Sequence, residues 1–257
     1  MRCLIDIIQP NWPAPAQIKA YVTSRAGGLS APPYQSFNLA QHVGDNTSHV
    51  TANRTLLQEQ LDLPSKPIWL NQVHGTHVIH ISEDYLATFQ ANARTPEFAP
   101  ECDGSLTALE NVVCTVLTAD CLPLLFTNKQ GTQVAAVHAG WRGLGAGIIE
   151  QTLALFHCEP ADILVWLGPA IGATKFEVGQ DVYKFFIAKN PQDSKAFNIE
   201  GKKWLADIYQ LAKLRLNRAG VTDIFGGEEC TFTDPRFFSY RRDGVTGRMA
   251  SLIWIAS

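Results

Sequence analysis

The chain has 257 residues, of which 46% are hydrophobic and 18% are charged. This composition supplies enough apolar side chains for a substantial core and excludes disorder of the whole chain. The formal net charge is −3, so the chain lacks the basic character that nucleic-acid binding requires, and we expect no nucleic-acid partner. No stretch approaches the roughly 18 uninterrupted apolar residues of a membrane helix, and we expect no membrane partner.

The first residues and the cysteines bear on the cellular compartment. The N-terminal apolar run is interrupted by Asp6, ends at Pro10 and is too short for a signal peptide, so we expect no targeting segment. The six cysteines are scattered and form no C-x-x-C pair, which argues against a disulfide framework in a chain of this size. These features predict a cytoplasmic protein in a reducing compartment.

In chain order, a strand begins at Ile18 and gives way to a loop rich in Gly, Pro and Asn. A helix follows, with Thr47 or Ser48 as its N-cap and an apolar stripe on one face. The stripe consists of Val50, Leu56, Leu57 and Leu61. Two β-like runs then flank Gly75 within residues 67–81. Residues 85–105 contain Pro and Asn, which predicts an irregular surface excursion.

The second half of the chain predicts buried strands and amphipathic helices. Apolar runs predict strands over residues 112–120, 121–128, 133–140, 162–172, 221–244 and 248–256, the last two closing the chain around a loop. The first two runs flank a kink at Asp120–Pro123. Helical patterns cover residues 143–158, 179–190 and 203–220. Strands and helices do not alternate strictly, so we predict a mixed α/β (α+β) fold, with one domain over residues 1–257 and mixed β-sheets flanked by helices.

Three residues of metal-binding type stand where a β-like run meets a turn: His74, Cys121 and His138. Imidazole nitrogen and thiolate sulfur are ligands that zinc and copper prefer. Because strand ends can converge and loops there hold sites on a rigid scaffold, we predict one metal site. Three protein ligands leave a fourth position for water or substrate, which is typical of catalytic zinc. Core packing of Cys121 and His138 is the alternative explanation.

Other polar residues of the same loops are candidates for supporting roles. His77 and His80 compete with His74 as ligands. Asp103 and Asp120 could orient a ligating histidine or form turns. Arginines could bind an anion through paired donors; the candidates are Arg25, Arg54 and Arg142. The basic cluster in YRRDG is mixed with an acid and is typical of a solvated loop.

The glycine-rich segment after His138 does not match the common nucleotide-binding loops. It contains no Gly-Lys-Ser/Thr sequence, and its glycines do not satisfy the G-x-G-x-x-G spacing. We therefore expect neither ATP nor NAD as a ligand.

Several motifs taken together resemble the YfiH-like, or laccase-domain, family. From about Tyr21 to the C-terminus they are NQVHGTHV, CDGSLT, TADCLPLLF, VAAVHAGWRG, LGPAIG…FEVGQDV and SYRRDGVTGRMASLIWI. Members of that family have been described as peptidoglycan editing factor, polyphenol oxidase and purine nucleoside phosphorylase. The resemblance implies a cytotoxic necrotizing factor/YfiH-like mixed fold. It also implies that His74, Cys121 and His138 are metal ligands and catalytic residues.

The resemblance also implies an activity. It implies a zinc-dependent purine nucleoside phosphorylase acting on adenosine, inosine, guanosine and methylthioadenosine, together with adenosine deaminase activity. Its partners are then purine nucleosides and phosphate, and we expect a monomer or weak homo-oligomer. Asn38 and Arg54 match recurrent positions of the family, which places phosphate near Arg54, with Arg142 as the alternative. A histidine such as His77 could protonate the leaving base.

Three rival functions stay open at this stage. Copper (Cu²⁺) could occupy the His-Cys-His site of a polyphenol oxidase, although seven histidines are few for a multicopper cluster. A metal-free hydrolase could use Cys121 as nucleophile and His138 as base in peptidoglycan editing, with Asp120 or a backbone carbonyl orienting the histidine. A non-enzymatic cell-wall or division accessory protein would need neither chemistry. Metal content and alkylation of Cys121 separate these hypotheses.

Overall fold

The computed structural model describes residues 4–92 and 99–257. Cys3 at the N-terminus and residues 93–98 of the predicted excursion lie outside the described residues. The described helices are α1 Thr47–Gln60, α2 Glu83–Asn92, α3 Trp141–Ala146, α4 Ile148–Leu153, α5 Gln180–Lys189, α6 Ile208–Arg218 and α7 Tyr240–Asp243. The described strands are β1 Ile7–Ile8, β2 Ile18–Thr23, β3 Val78–Ile81, β4 Gly104–Thr107, β5 Cys114–Thr118, β6 Leu122–Asn128, β7 Val134–Ala139, β8 Ile163–Leu167, β9 Glu177–Val178, β10 Phe197–Glu200, β11 Lys203–Ala206, β12 Asp223–Gly226 and β13 Met249–Ile255. Every described helix is too short or too polar to cross a lipid bilayer.

The strands form three sheets. A six-stranded sheet has the order β12–β8–β6–β7–β4–β3, with parallel pairs at its two edges and antiparallel pairs between them. A four-stranded sheet, β1–β2–β13–β5, is antiparallel throughout. The third sheet, β10–β11–β9, is small and antiparallel. The mixed six-stranded sheet, the two antiparallel sheets and the helices that pack on them confirm the predicted α/β mixed (α+β) single-domain class.

The six-stranded sheet is covered on both faces, which explains the uninterrupted apolar sequences of its central strands. Every residue of β6 and β7 is buried. On one face Leu124 and Phe126 of β6 pack in a cluster that contains Leu211 of helix α6. On the other face Leu125 packs with Val116 of the four-stranded sheet. Alternate side chains therefore face two different cores, and the ends of these strands are held rigidly.

The link between β5 and β6 crosses from the four-stranded sheet to the six-stranded sheet. It turns at Asp120, whose φ of 87° lies in the left-handed region. This turn confirms the predicted kink and places Cys121 at the crossing. The antiparallel pairing of Leu122 with Ala139 brings Cys121 beside the end of β7.

Helix α1 has the predicted apolar face, since Val50 and Leu57 are buried. Its N-cap is Asn46, however, and the predicted caps Thr47 and Ser48 are wrong. The Asn46 side chain accepts a hydrogen bond from Ser48 N at 2.8 Å. Asparagine caps a helix as well as serine does, so the helix begins one residue earlier than a Thr47 cap implies and two earlier than a Ser48 cap implies.

Two predictions in the segment before residue 105 are wrong in part. The first β-like run of residues 67–81 forms only isolated bridges, such as that of Ile68 with Cys114. The beginning of the expected excursion forms helix α2. Acidic residues in its first turn, Glu83 and Asp84, favour a helix start there.

Two helix predictions in the second half also need correction. The helix expected over residues 143–158 is divided into α3 and α4 at Gly147, whose φ of 115° is incompatible with a continuous helix. The helix expected from residue 203 begins at Ile208, after the N-cap Asp207. The preceding residues form β11 because they pair with β9 and β10.

Candidate metal centre

The three predicted ligands meet beside the ends of β6 and β7. One ligand atom each of His74, Cys121 and His138 lies within 4.8 Å of the other two. The Cys121 Sγ is 3.8 Å from His74 Nε2, and the two imidazole rings lie edge to face with centroids 4.7 Å apart. A tetrahedral zinc ion with bonds of about 2.3 Å to sulfur and about 2.0 Å to nitrogen holds those atoms roughly 3.5 Å apart. This donor set therefore fits such an ion.

The position of His74 depends on a left-handed turn held by a buried carboxylate. His74 has a φ of 60°, which is uncommon for a residue other than glycine. Its N–H donates to Asp103 Oδ1 at 2.9 Å, and the N–H of Gly75 donates to Asp103 Oδ2 at 2.6 Å. Asp103 is fully buried and directly precedes β4. The register of the six-stranded sheet therefore also fixes the loop that carries His74.

The same carboxylate orients the ring of His138, which lies on β7 and is 3% exposed. His138 Nδ1 is 2.8 Å from Asp103 Oδ1. Because an ionised carboxylate accepts and does not donate, Nδ1 carries the hydrogen. The Nε2 lone pair is then free for a metal, and Asp103 takes the orienting role considered for it.

Burial and neighbouring charges set the ionisation of this group. Burial raises the pKa of Cys121, but the charge of His138 and hydrogen bonds with both imidazoles outweigh it and lower the pKa to about 6. Burial lowers the pKa of His138, but the Cys121 thiolate and the Asp103 carboxylate raise it to about 9. Without a metal, thiolate and imidazolium are therefore the stable pair near pH 7. A bound cation would replace the proton on His138 and keep the thiolate.

Asp120 has a different task from the orienting role considered for it. Its Oδ1 accepts from Thr231 Oγ1 at 2.6 Å and from Ser239 Oγ at 2.7 Å. Its Oδ2 accepts from Arg241 N at 2.6 Å. These hydrogen bonds fasten the β5–β6 link to the segment around α7. Asp120 therefore holds the chain on which Cys121 stands.

The three side chains line one wall of a cavity of about 450 Å³. This volume is within the range of about 300–1,000 Å³ that small-molecule sites occupy. The remaining wall is partly apolar and partly cationic. It includes Trp141, Ile171, Phe176, Ile208, Tyr240, Arg142, Arg241 and Arg248. The cavity can therefore offer a flat apolar surface and positive charge to one ligand beside the metal position.

The predicted substrate residues divide between the cavity wall and the layer behind it. Arg142 lines the cavity and stacks on Trp141, with its guanidinium 4.3 Å from the ring centroid. Arg54 lies outside the lining, where its Nε donates to a main-chain carbonyl and its guanidinium is 3.9 Å from the Trp69 centroid. Asn38 is fully buried, and its side chain bonds neighbouring protein groups. The roles of these three residues toward a substrate stay predictions.

The other candidate residues stand apart from the metal centre. Arg25 forms an ion pair with Asp243 at 3.7 Å. His77 is exposed, with Nδ1 3.1 Å from a main-chain carbonyl oxygen, and His80 is exposed on β3. The cavity lining includes neither of these histidines. His74 is therefore the histidine of its motif that lies with the other two candidate ligands.

Sequence reasoning missed several residues of the cavity wall. The basic cluster in YRRDG is not a solvated loop as expected: it forms α7, and Tyr240 and Arg241 line the cavity. His42 and Arg248 line it as well. The available signal was that SYRRDGVTGR belongs to the motifs of the family resemblance. No spacing rule brings His42 and Arg248 together, because they lie near opposite ends of the chain.

Comparisons with known proteins bear on the identity of this fold and site. A family model described as multi-copper polyphenol oxidoreductase laccase matches residues 19–256. A relative from Escherichia coli, named purine nucleoside phosphorylase YfiH, is 50% identical over 250 residues, which are 97% of this chain and 98% of the relative. A solved structure from Neisseria meningitidis has a TM-score of 0.89 at 46% identity and covers 98% of this chain and 99% of that chain. The structure of a hypothetical protein YfiH from Bacillus licheniformis has a TM-score of 0.85 at 30% identity, with 93% of each chain covered.

The mixed fold and the His-Cys-His group beside a cavity define a class of protein with a candidate metal centre at a small-molecule site. The chain belongs to the YfiH-like, or laccase-domain, family, which confirms the resemblance carried by its motifs. The names within the family point to two chemistries, oxidation of phenols and phosphorolysis of nucleosides.

Proposed function

We propose that the protein is a zinc-dependent purine nucleoside phosphorylase that also deaminates adenosine. The proposed substrates are adenosine, inosine, guanosine and methylthioadenosine, each with phosphate, and water for the deamination of adenosine. The observation that carries the proposal is the convergence of His74, Cys121 and His138 on the wall of a cavity of about 450 Å³. The name of the Escherichia coli relative supports it.

We place zinc on these three side chains, with copper as the alternative ion. Imidazole nitrogens and a thiolate are donors that zinc prefers. When bound, the ion supplies a Lewis acid that stabilises negative charge developing on an oxygen. The chain contributes rigid placement of the donors. Asp103 holds the loop of His74 and the ring of His138, and Asp120 holds the chain at Cys121.

Both proposed reactions form a bond between an incoming oxygen and a carbon of the nucleoside and break a carbon–nitrogen bond at that carbon. In phosphorolysis a phosphate oxygen bonds to C1′ while the C1′–N9 bond breaks. The electron pair leaves with the purine, which takes up a proton, and the sugar 1-phosphate is the second product. In deamination the oxygen of water bonds to C6, the C6–N bond breaks, and inosine and ammonia form. Phosphorolysis is favoured by cationic groups that hold the phosphate. The arginines that line the cavity could supply them; they are Arg142, Arg241 and Arg248.

The apolar wall suits a purine base. A purine is flat, and aromatic side chains bind flat rings by stacking. Trp141, Phe176 and Tyr240 line the cavity, and Tyr240 is 61% exposed, so it reaches the solvent. We place the base against this wall and the ribose between the wall and the metal centre. Asn38 then acts on the substrate through Arg248, whose N–H donates to Asn38 Oδ1, and Arg54 acts through its charge near His42.

The direct test is release of hypoxanthine from inosine by the zinc-loaded protein, with and without phosphate. The proposal predicts release that depends on phosphate, and ammonia from adenosine. Replacing His74, Cys121 or His138 by alanine should remove both activities. His80→Ala is the matched control, because this exposed histidine lies outside the cavity lining. Normal turnover of inosine by all three alanine variants would overturn the assignment.

A second candidate function is favoured by the ionisation of the same group. Cys121, with its pKa of about 6, His138 and Asp103 can act as the nucleophile, base and orienting carboxylate of a cysteine hydrolase. Such an enzyme would cleave amides, which would suit the editing of cell-wall peptides. Zinc separates the two functions: it activates the phosphorylase and blocks a cysteine nucleophile by occupying the sulfur. Amidase activity that rises on zinc removal and disappears on alkylation of Cys121 would favour the hydrolase.

Copper-dependent oxidation of phenols is the function that the description of the family model indicates. Within residues 4–92 and 99–257, His74, Cys121 and His138 form one group of three possible metal ligands, and no other such group is found. A multicopper site needs more histidines than this group holds. We therefore consider phenol oxidation less well supported than the nucleoside reactions. Oxygen uptake with a phenol by copper-loaded protein would reverse this order.

The setting of the proposed enzyme follows the sequence-based expectations. We propose a cytoplasmic protein, a monomer or weak homo-oligomer, that acts on small molecules. The described cysteines are all free thiols, which suits a reducing compartment. Fractionation of cells and sedimentation of the purified protein test these two expectations.

A further inference from the structure

The arginines of the cavity lack the ion pairs that most other described arginines form; Arg54, which lies outside the lining, also lacks one with any described residue. Five arginines have a carboxylate oxygen at 2.6–3.7 Å. They are Arg25, Arg215, Arg218, Arg236 and Arg242. The three that line the cavity, Arg142, Arg241 and Arg248, form no such pair with any described residue. Asp120 and the Cys121 thiolate also line the cavity and supply negative charge near Arg248, but no described carboxylate forms an ion pair with the three arginines, so their guanidinium groups can bind an anion.

Arg248 is the best placed of the three to hold an anion. It is half-buried, whereas Arg142 and Arg241 are exposed. Its Nη1 donates to the carbonyls of Thr246 and Gly247 at 2.8 and 2.9 Å. Its Nε and Nη2 have no hydrogen-bond partner within the described part of the chain. These two nitrogens form one side of the guanidinium fork, which is the geometry that binds two oxygens of an oxyanion.

A buried asparagine holds the backbone of Arg248 in place. Asn38 Oδ1 accepts from Arg248 N at 3.0 Å, and Asn38 Nδ2 donates to Asp45 Oδ2 at 2.9 Å. Arg248 also directly precedes β13, whose first residue, Met249, pairs with Thr118 of β5. The guanidinium therefore projects from a rigid frame. Asn38, which the family resemblance implied as a substrate residue, is a positioning residue behind it.

His42 lies in the same corner of the cavity. It belongs to the cavity lining, and its ring nitrogens have no hydrogen-bond partner among the residues described. Burial lowers the pKa of His42, and the charges of Arg248 and Arg54 lower it further. Both arginines are therefore close enough to act on one imidazole. A neutral imidazole donates one N–H to an anion and can take up a proton as the anion binds.

We propose that Arg248 and His42 form the subsite that binds the phosphate co-substrate, with Arg248 Nε and Nη2 paired to two phosphate oxygens. This inference rests on the proposed function, in which phosphate must stand beside C1′ of the nucleoside. It replaces the expectation that phosphate lies near Arg54 or Arg142. Arg54 is outside the lining and adds positive potential from behind it, and Arg142 is exposed and stacked on a tryptophan.

The test uses the full-length protein and two measurements. Calorimetry measures binding of inorganic phosphate without nucleoside, and kinetics measures the phosphate KM during turnover of inosine. Arg248→Met should lower the affinity for phosphate and raise the phosphate KM, each at least about tenfold, because a charge-assisted pair of hydrogen bonds is lost. Arg248→Lys should have a phosphate affinity and KM between those of the wild-type protein and Arg248→Met, since lysine keeps the charge but not the paired donors of the guanidinium. His42→Gln should lower the phosphate affinity and raise the phosphate KM by a smaller factor.

The control is Arg236→Met, the same change at an arginine that is already paired with Asp234 and Glu229. It should leave phosphate binding unchanged. Circular dichroism identifies any variant that fails to fold, and Arg248→Lys decides the matter if Arg248→Met is one of them.

Different results overturn the subsite and the proposed function. Unchanged phosphate binding and KM in folded Arg248 variants overturn the subsite, as does a loss confined to Arg142→Met. If wild-type protein binds phosphate and Arg248→Met does not, yet no nucleoside releases its base, the subsite stands and the proposed function fails. Wild-type protein that neither binds phosphate nor uses it in turnover overturns both.

Discussion

At the scale of single residues, Asp103 connects the two histidines of the candidate metal centre. Its carboxylate accepts from the N–H of His74 and from His138 Nδ1 at 2.9 and 2.8 Å. Burial raises the pKa of Asp103, but the hydrogen bond and charge of His138 and the N–H groups of Gly75 and His74 lower it overall. One ionised group thus holds a left-handed turn and selects the tautomer of a ligand.

Replacing Asp103 by asparagine should therefore loosen the metal without removing a ligand. An amide offers one acceptor oxygen where the carboxylate offers two, so the bonds to His138 and to the turn at His74 cannot all persist. We expect zinc affinity to fall about 10- to 100-fold, as measured by competition with a chelator. Asp223→Asn is the control, because Asp223 lies in a surface ion pair with Lys129. Equal zinc affinity in both variants would show that Asp103 does not orient the ligands.

The lowered pKa of Cys121 has a pH dependence that can be measured in the metal-free protein. Burial raises this pKa, but His138 and His74 lower it to about 6, so the thiolate persists down to about that pH. The rate of alkylation by iodoacetamide should therefore rise through about pH 6 and be level above it. Cys102 and Cys114 should not react, since burial raises the pKa of each to about 12.

Two changes should alter this alkylation profile. His138→Gln removes the nearby positive charge, so the midpoint for Cys121 should move upward toward that of an ordinary thiol. Bound zinc should suppress the reaction in the wild-type protein, because the metal occupies the sulfur. Peptide mapping measures the alkylation of Cys121 at each pH. A midpoint near pH 9 in the wild-type protein would be incompatible with a pair formed by the Cys121 thiolate and the His138 imidazolium.

At the scale of elements, the candidate metal centre needs a close approach between helix α3 and two loops. A Cβ atom at Gly140, the residue before α3, would lie 2.7 Å from His74 Cδ2 and 3.2 Å from Cys121 Sγ. A Cβ atom at Gly143 would lie 2.4 Å from the carbonyl oxygen of Gly75. Glycine at these positions therefore allows the strand ends and the His74 loop to meet.

Gly140→Ala should displace two ligands and leave the rest of the fold in place. We expect zinc affinity to drop at least about tenfold, since ligand placement is disturbed directly, with an unchanged circular dichroism spectrum. Gly201→Ala provides the comparison, because a Cβ there meets nothing within 4 Å, although its φ of 61° carries a strain cost of its own. Zinc binding that is retained by Gly140→Ala would mean that the ligands are not packed against this position.

Local pattern predicts the central strands and the candidate ligands at their ends. Strands β6, β7, β8 and β13 are buried throughout, and a strand covered on both faces has an uninterrupted apolar sequence. Cys121 and His138 interrupt such sequences at a turn, and that is why they stand out. The family motifs then select His74 among the neighbouring histidines.

Other parts depend on contacts that are remote in sequence. Residues 203–206 continue a helical pattern, yet they form β11 because two other strands pair with them. The corner formed by His42 and Arg248 exists because Asn38 binds the backbone of Arg248 across most of the chain. The periodicity of hydrophobic residues along the sequence carries no information about such a contact, so this part of the cavity could not be predicted from the sequence.

At the scale of the whole molecule, charge is distributed unevenly. The chain carries a net charge of −3, yet the cavity wall holds three arginines without carboxylate partners among the described residues. These guanidinium groups give the cavity donors for an anion, which the net charge of the chain does not suggest. The two layered sheets fix the candidate metal ligands on one side of this cavity, and the extent of the domain over residues 1–257 stays a prediction.

The central claim is that one ion is bound by His74, Cys121 and His138. Metal content per chain, measured by plasma mass spectrometry on protein purified with zinc in the medium, tests it most directly. We predict about one zinc ion per chain in the wild-type protein and almost none in Cys121→Ser with an unchanged circular dichroism spectrum. Equal zinc content in the two proteins, or several copper ions per chain, would contradict the account.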